Sequence, residues 1–230
     1  KLQKILANQG LGSRRTMERW ISDGRIRVNG EVAALGDRVE EDDTIQVDGR
    51  TLTQKKTRHR HLLYNKPAGE ICSRDDPEGR ASVYRKLPKL KNQRWISIGR
   101  LDFNTSGLLL FTTDGALANK LMHPSTGIDR EYAVRVLGNV SDRALQNMRE
   151  GVILEDGLAK FTDIQKSLDS EGANRWYYVV LMEGKNREVR RLWESQGLSV
   201  SRLKRVRFGS FFVPSSVKVG RFVELEKREI

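Results

Sequence analysis

Apolar positions along the first fifty residues change period twice. Leu2, Ile5 and Leu6 recur at helical spacing, and Gly10 and Gly12 stop that run. Ser13 is a strong N-cap for a second helix carrying Met17, Trp20 and Ile21, which Gly24 ends. The period then falls to two. Ile26 and Val28 alternate with Arg27, and Asn29-Gly30 marks a hairpin leading into Glu31-Val32-Ala33. Thr44 to Val47 predicts a further strand closed by Asp48-Gly49. Gln54 to Arg60 is polar, basic and without period, so it predicts a linker.

From His61 onward, strands are predicted at Leu62–Tyr64, Ile96–Ile98, Leu108–Phe111, Tyr132–Leu137, Arg175–Met182 and from Val200. Helices are predicted at Ala116–Met122, after a Ser141 cap with Leu145 and Met148 inward, and around Val189, Leu192 and Trp193 as far as Gly197. Strands following one another without regular βαβ alternation predict an α+β fold with a mainly antiparallel mixed sheet flanked by helices. No internal repeat or low-complexity segment is visible.

Charge narrows the partners. The chain has 230 residues and a formal net charge of +12, which favours a polyanion, nucleic acid above all. No apolar run approaches the roughly 20 residues of a membrane span, and no basic amphipathic helix is long enough for a membrane surface. Lys1 to Gly10 reads as a short amphipathic segment rather than a secretory leader. The single cysteine, Cys72, excludes an intrachain disulfide and fits a reducing cytoplasm, with a packed side chain as its simplest role. The three histidines lack metal-ligand spacing, and no phosphate-cradling glycine loop occurs, so neither metal nor nucleotide cofactor is expected.

The candidate chemistry centres on Gly99-Arg100-Leu101-Asp102-Phe103-Asn104-Thr105-Ser106-Gly107-Leu108-Leu109-Leu110. Asp102 stands in a polar turn between two apolar segments, where strands can fix a carboxylate and a loop can expose it. From spacing alone, an Asp that merely stabilises the turn is the better explanation.

The words around Asp102 go further. Gly-Arg-Leu-Asp-x-x-Thr-Ser-Gly-Leu-Leu resembles the signature of pseudouridine synthases of the RsuA type, which modify ribosomal RNA. Asn65-Lys66-Pro67-Ala68-Gly69 precedes it, and Asp129-Arg130-Glu131-Tyr132 and Glu183-Gly184-Lys185-Asn186-Arg187-Glu188-Val189-Arg190-Arg191 follow, in that family's order. The wording at Ser73–Arg80, Leu87–Leu90 and Phe111–Gly115 is closest to the large-subunit members. Leu11–Arg15 and Gly24–Gly30 are similar to an S4 RNA-binding domain. The resemblance covers nearly the whole chain. It implies an S4-like domain over residues 1–56, a basic linker over 57–61 and a synthase domain over 62–230.

The resemblance also implies site residues. Asp102 is the essential carboxylate, attacking C1′ or C6 or acting as a base toward the sugar, and each role needs it ionised. Arg190 is the cation that pairs with it, and it points off the apolar face of its predicted helix. Tyr132 is the aromatic that stacks on a flipped uracil, although alternation alone makes it a core residue beside Val134 and Val136. Leu203 reaches the uracil pocket. RNA contacts are expected from Arg14 and Arg15 at a helix N-terminus, and from Arg25 and Arg27 on the solvent face of their strand. Lys66, Arg100, Lys185, Arg187, Lys204 and Arg205 are expected to contact RNA as well. Glu131 is expected to pair with Arg130. The expected partner is a stem-loop of 23S ribosomal RNA, free or in a pre-ribosomal particle, acted on by a cytoplasmic monomer without cofactor. Two other classes remain. A non-catalytic RNA-binding assembly factor would need only the S4 module and the charge, and an RNA hydrolase would use paired carboxylates.

Overall fold

The computed structural model describes residues 1–40, 42–53, 58–168, 174–226 and 229. Most of the predicted linker core, Gln54 to Thr57, lies outside the described residues. The chain forms two compact units that do not follow a single cut. The first holds Lys1–Arg60, Pro88–Ile96 and Thr112–Gly115, and the second holds the remainder from His61.

The first unit starts with helices α1 (Leu2–Asn8) and α2 (Arg14–Ser22). Ser13 caps α2, its hydroxyl accepting the Thr16 N–H at 3.0 Å. A four-stranded sheet follows, made of β1 (Ile26–Val28), β2 (Glu31–Val32), β3 (Ile45–Val47) and β4 (Arg50–Thr51) in the order β2-β1-β3-β4. Asn29 and Gly30 both take positive φ, at 52° and 89°, the geometry of a type I′ turn that matches strand twist. Leu2, Leu6, Met17, Ile21, Ile26 and Ile45 are buried together as the core. The two periods in the sequence therefore meet in one small helix-on-sheet core.

The second unit is larger. In chain order it contains β5 (His61–Lys66), β6 (Ile96–Ile98), β7 (Thr105–Thr112), α3 (Gly115–Met122), β8 (Arg130–Leu137), α4 (Asp142–Glu150), β9 (Val152–Leu154) and β10 (Gly157–Ala159). It ends with β11 (Asp163–Lys166), β12 (Asn174–Leu181), α5 (Glu188–Glu194), β13 (Ser199–Phe208), β14 (Phe211–Phe212) and β15 (Phe222–Leu225). A few terminal residues of β6, β7 and α3 cluster with the first unit. Nine strands make one sheet along the order β11-β12-β8-β13-β7-β5-β15, with β14 on β13 and β6 on β7. β13 runs antiparallel to β8 and parallel to β7, so the sheet is mixed at its centre.

β7 and β5 read as unbroken apolar runs because they lie inside this sheet. Leu108 to Phe111 and Leu62 to Tyr64 are nearly inaccessible. Trp193 of α5 packs on Tyr177 of β12 with ring centroids 5.1 Å apart, and Phe161 adds a second ring at 6.1 Å. Ser141 caps α4 by accepting the Ala144 N–H at 3.2 Å, which fixes the helix start where the sequence predicts it. Among the described residues, no helix is long and apolar enough to cross a membrane.

Candidate active site

Strand register assembles one face of the central sheet. Tyr132 on β8 stands opposite Val179 on β12 and Arg205 on β13, and Arg205 pairs with Gly107 on β7. On one side of that row Val134 lies between Tyr177 and Leu203, and Leu203 pairs with Thr105. On the other side Arg130 lies between Leu181 and Phe208. Directly paired residues point the same way, so these side chains form a continuous surface. β13 keeps its place on that surface through a register shift between Arg205 and Arg207, which sets Phe208 opposite Arg130. Arg207 instead falls opposite Glu131 and pairs with both Glu131 and Asp129.

Gly107 permits the central row. A Cβ there would lie 2.1 Å from the Arg205 carbonyl oxygen, and its φ of +100° is one that other residues rarely adopt. The glycine of the signature is therefore where β13 passes closest to β7.

The loop before β7 carries Asp102, and each backbone carbonyl from Leu101 to Thr105 is engaged. Cys72 donates its S–H to the Leu101 carbonyl at 3.3 Å, and its sulfur accepts the Leu101 N–H at 3.4 Å. The Asp102 carbonyl accepts the Thr105 N–H at 3.0 Å and the Lys66 ammonium at 3.2 Å. The Phe103 carbonyl accepts the Gly69 N–H at 2.8 Å. Arg190 donates to the Asn104 carbonyl at 3.1 Å, and Lys66 donates to the Thr105 carbonyl at 2.7 Å. Hydrogen bonds of this kind contribute about 0.5–1.5 kcal/mol net each, more from charged donors. Together they hold the backbone without using the Asp102 side chain, whose carboxylate accepts no hydrogen bond among the described residues.

That carboxylate faces a cavity of about 590 Å³ lined also by Arg100, Arg130, Tyr132, Leu203, Arg205 and the start of α5. Tyr132 is only 9% exposed and lines the cavity from β8. Arg130 donates to the Ile128 and Met182 carbonyls and lies over the Phe208 ring at 5.2 Å. Burial pushes the Arg130 guanidinium below its usual pKa, and Tyr132 opposes that shift. Arg205 is buried, with Nε donating to the Leu108 carbonyl at 2.8 Å. The Arg190 pKa is lowered, by burial first and then by the neighbouring Arg187 charge, while Asp102 acts in the opposite direction. A carboxylate acceptor thus sits free among buried cations beside an aromatic ring, which suits nucleophilic or base chemistry on a planar heterocycle.

Several expectations need correction. Lys66 cannot contact RNA, because it is fully buried and its ammonium binds the Pro67, Asp102 and Thr105 carbonyls. Arg205 does not track phosphates at the surface, since the β8 register turns it inward to the cavity. Arg190 makes no direct bond to Asp102. Its two terminal nitrogens serve the Val200 and Asn104 carbonyls, so it holds the loop and acts on Asp102 by charge. Glu131 pairs with Arg207 and not with Arg130, because neighbouring residues on a strand face opposite ways. Arg25 is occupied by a two-point pair with Asp48 and by the Trp20 ring at 4.0 Å, whereas Arg27 donates to the Gly30 carbonyl and stays exposed on the solvent face of its strand. Lys185 is partly committed to Glu183 and the Leu158 carbonyl.

Other expected residues stand where contact is open. Arg14, Arg15 and Arg100 are exposed, Arg187 lines the cavity with Glu194 3.8 Å away, Lys204 is half-buried, and Leu203 lines the cavity. Arg130 and Cys72 are site residues that the motif reading missed. The alternation that puts Tyr132 and Val134 on one face also includes Arg130, so that signal was present. The Cys72 contact joins residues distant in sequence and leaves no local trace.

A family model described as RNA pseudouridylate synthase matches residues 60–195, and one described as S4 domain matches residues 1–45. A Pseudomonas aeruginosa protein named Ribosomal large subunit pseudouridine synthase B is 59% identical over 233 residues. That match takes in 100% of this chain but 60% of the relative, so the chain spans under two thirds of that relative's length. An Escherichia coli K12 protein of the same name is 54% identical over 231 residues, covering 98% of this chain and 79% of the relative. A solved structure titled "Crystal structure of pseudouridylate synthase" superposes with a TM-score of 0.69 at 24% identity, covering 99% of this chain and 96% of that one. At that identity the likeness is one of fold.

Proposed function

Because the chain belongs to the RNA pseudouridylate synthase family, we propose that it isomerises one uridine of 23S ribosomal RNA to pseudouridine, with Asp102 as the essential carboxylate. In that reaction the N1–C1′ bond breaks and a C5–C1′ bond forms. C5 loses a proton and N1 gains one, so the product is an isomer and no electrons leave the substrate. The single observation that carries the assignment is the Asp102 loop. All five carbonyls from 101 to 105 are bonded to other groups, while the Asp102 carboxylate accepts no hydrogen bond among the described residues and is the one ionisable side chain that this loop places on the cavity. Pre-organisation of this kind is what a reacting group needs.

The neighbours take matching roles. Tyr132 offers a flat surface for a uracil extruded from its helix. Leu203 supplies an apolar wall, and Arg190 fixes the loop through the Asn104 carbonyl. Arg100, exposed on the cavity rim and unpaired among the described residues, meets the RNA strand or the space left by the flipped base. The large-subunit assignment draws support from the relatives' names and from the wording of Ser73–Arg80 and Phe111–Gly115.

The test is tritium release from C5-labelled ribosomal RNA lacking the modification, offered as free strands and as pre-ribosomal particles. Wild type should release label, and Asp102→Asn should bind RNA but release none. Release by Asp102→Asn near the wild-type rate would remove Asp102 from the chemistry. Absence of release by wild type on every substrate would leave an RNA-binding factor as the better account.

A further inference from the structure

After Arg60 the chain returns to the first unit for Pro88–Ile96. The return is anchored on the turn between α1 and α2. Arg94 donates to the Gly12 carbonyl at 3.0 Å, and a Cβ on Gly10 would stand 2.8 Å from the Gln93 backbone nitrogen. The loop is closed on itself as well, since the buried Trp95 ring donates its N–H to the Pro88 carbonyl at 2.8 Å. The Arg94 guanidinium, backbone packing and an indole thus do the anchoring, and no hydrogen bond or ion pair of Lys89 or Lys91 takes part in it.

Lys89 and Lys91 are exposed, as are Arg14 and Arg15 at the start of α2. Among the described residues none of the four makes an ion pair or hydrogen bond. On the sheet side Arg25 is paired with Asp48, and Arg27 donates to the Gly30 carbonyl while staying exposed. Lys89 and Lys91 thus add unpaired charge on a loop whose Gln93-Arg94 stretch packs on the Gly10–Gly12 turn, just before Arg14 and Arg15, beside other exposed cations of the unit such as Lys4 and Arg19.

We infer that the Pro88–Ile96 loop is a second phosphate-binding element of the first unit, its Lys89 and Lys91 extending the cationic surface begun by Arg14 and Arg15 along the backbone of the substrate RNA stem. The inference rests on the RNA substrate proposed above. Lysines on a braced loop suit this task, because phosphate contacts need position and charge but no base-edge geometry. Segments far apart in sequence then act as one surface.

The experiment measures the affinity of the full chain for a ribosomal RNA stem-loop across a salt series. Each phosphate contact removed lowers the slope of log K against log salt by about 0.7–0.9. Lys89→Ala with Lys91→Ala should lower it by about 1.4–1.8 on that basis, and Lys89→Arg with Lys91→Arg should restore it. Lys160→Ala with Lys166→Ala, exposed lysines of the second unit, removes equal charge and should leave the slope near wild type. Equal slopes for the loop variant and this control would overturn the inference, as would failure of the arginine pair to restore the slope. A wild-type chain that binds no stem-loop at any salt would refute the RNA substrate itself, a different failure.

Discussion

Lys66 shows how a residue's chemistry can be read correctly and its task missed. A lysine in a motif of a basic protein suggests phosphate, yet its ammonium is enclosed by three carbonyls beneath the Asp102 loop. Burial lowers its pKa, the cost of keeping a cation there. Lys66→Met leaves buried carbonyls without a donor, at about 1–3 kcal/mol per group. The expected result is a stability loss of about 2 kcal/mol in urea melts and a large fall in turnover, with RNA affinity nearly unchanged. A main loss in affinity would return Lys66 to the RNA surface. At Asp102 the alternation of apolar segments made the loop legible, and the motif made the carboxylate legible. The fixing of five consecutive carbonyls was not legible, because its donors come from Lys66, Gly69, Cys72 and Arg190 and most act on backbone.

At the scale of elements, caps and periods carried the prediction well. Ser13 and Ser141 start their helices as expected, and Asn29-Gly30 turns its hairpin. Ser141→Ala should cost about 1 kcal/mol, seen as a small fall in melting temperature. Gly107→Ala should be far worse. Its Cβ would press on the Arg205 carbonyl, and the parallel seam between β7 and β13 would have to open. A loss of about 3 kcal/mol is expected, a fall in Tm of about 6–12 °C for a chain of this size. A melt within two degrees of wild type would mean that the seam relaxes easily. Strand pairing order and the register shift in β13 escaped the sequence, because alternation fixes which side chains share a face but not which strand lies beside it. That is why Arg205 was placed outside.

Across the whole molecule, no single cut near residue 56 separates the units, because Pro88–Ile96 and Thr112–Gly115 return to the first. Removing residues 1–53 would therefore do more than delete an RNA-binding module. The Pro88–Ile96 loop would lose the Gly10 and Gly12 backbone against which it packs. Hydrogen exchange should then quicken across residues 88–96 in the truncated chain, and protection equal to that in the intact chain would show the loop to be self-supporting. Charge composition had already indicated a polyanion, since a net +12 is a property of the sum and needs no fold to be read.

The backbone-only anchoring of the Asp102 loop has a consequence for how such a protein can change. Phe103, 40% exposed, and the exposed Asn104 contribute their carbonyls to the anchoring, and any amino acid but proline brings a comparable backbone. Their side chains are left uncommitted beside the Asp102 carboxylate. These two positions can therefore drift, or be randomised in a library, while the loop geometry is inherited intact. A lineage could reshape the cavity rim there without disturbing the loop that holds Asp102.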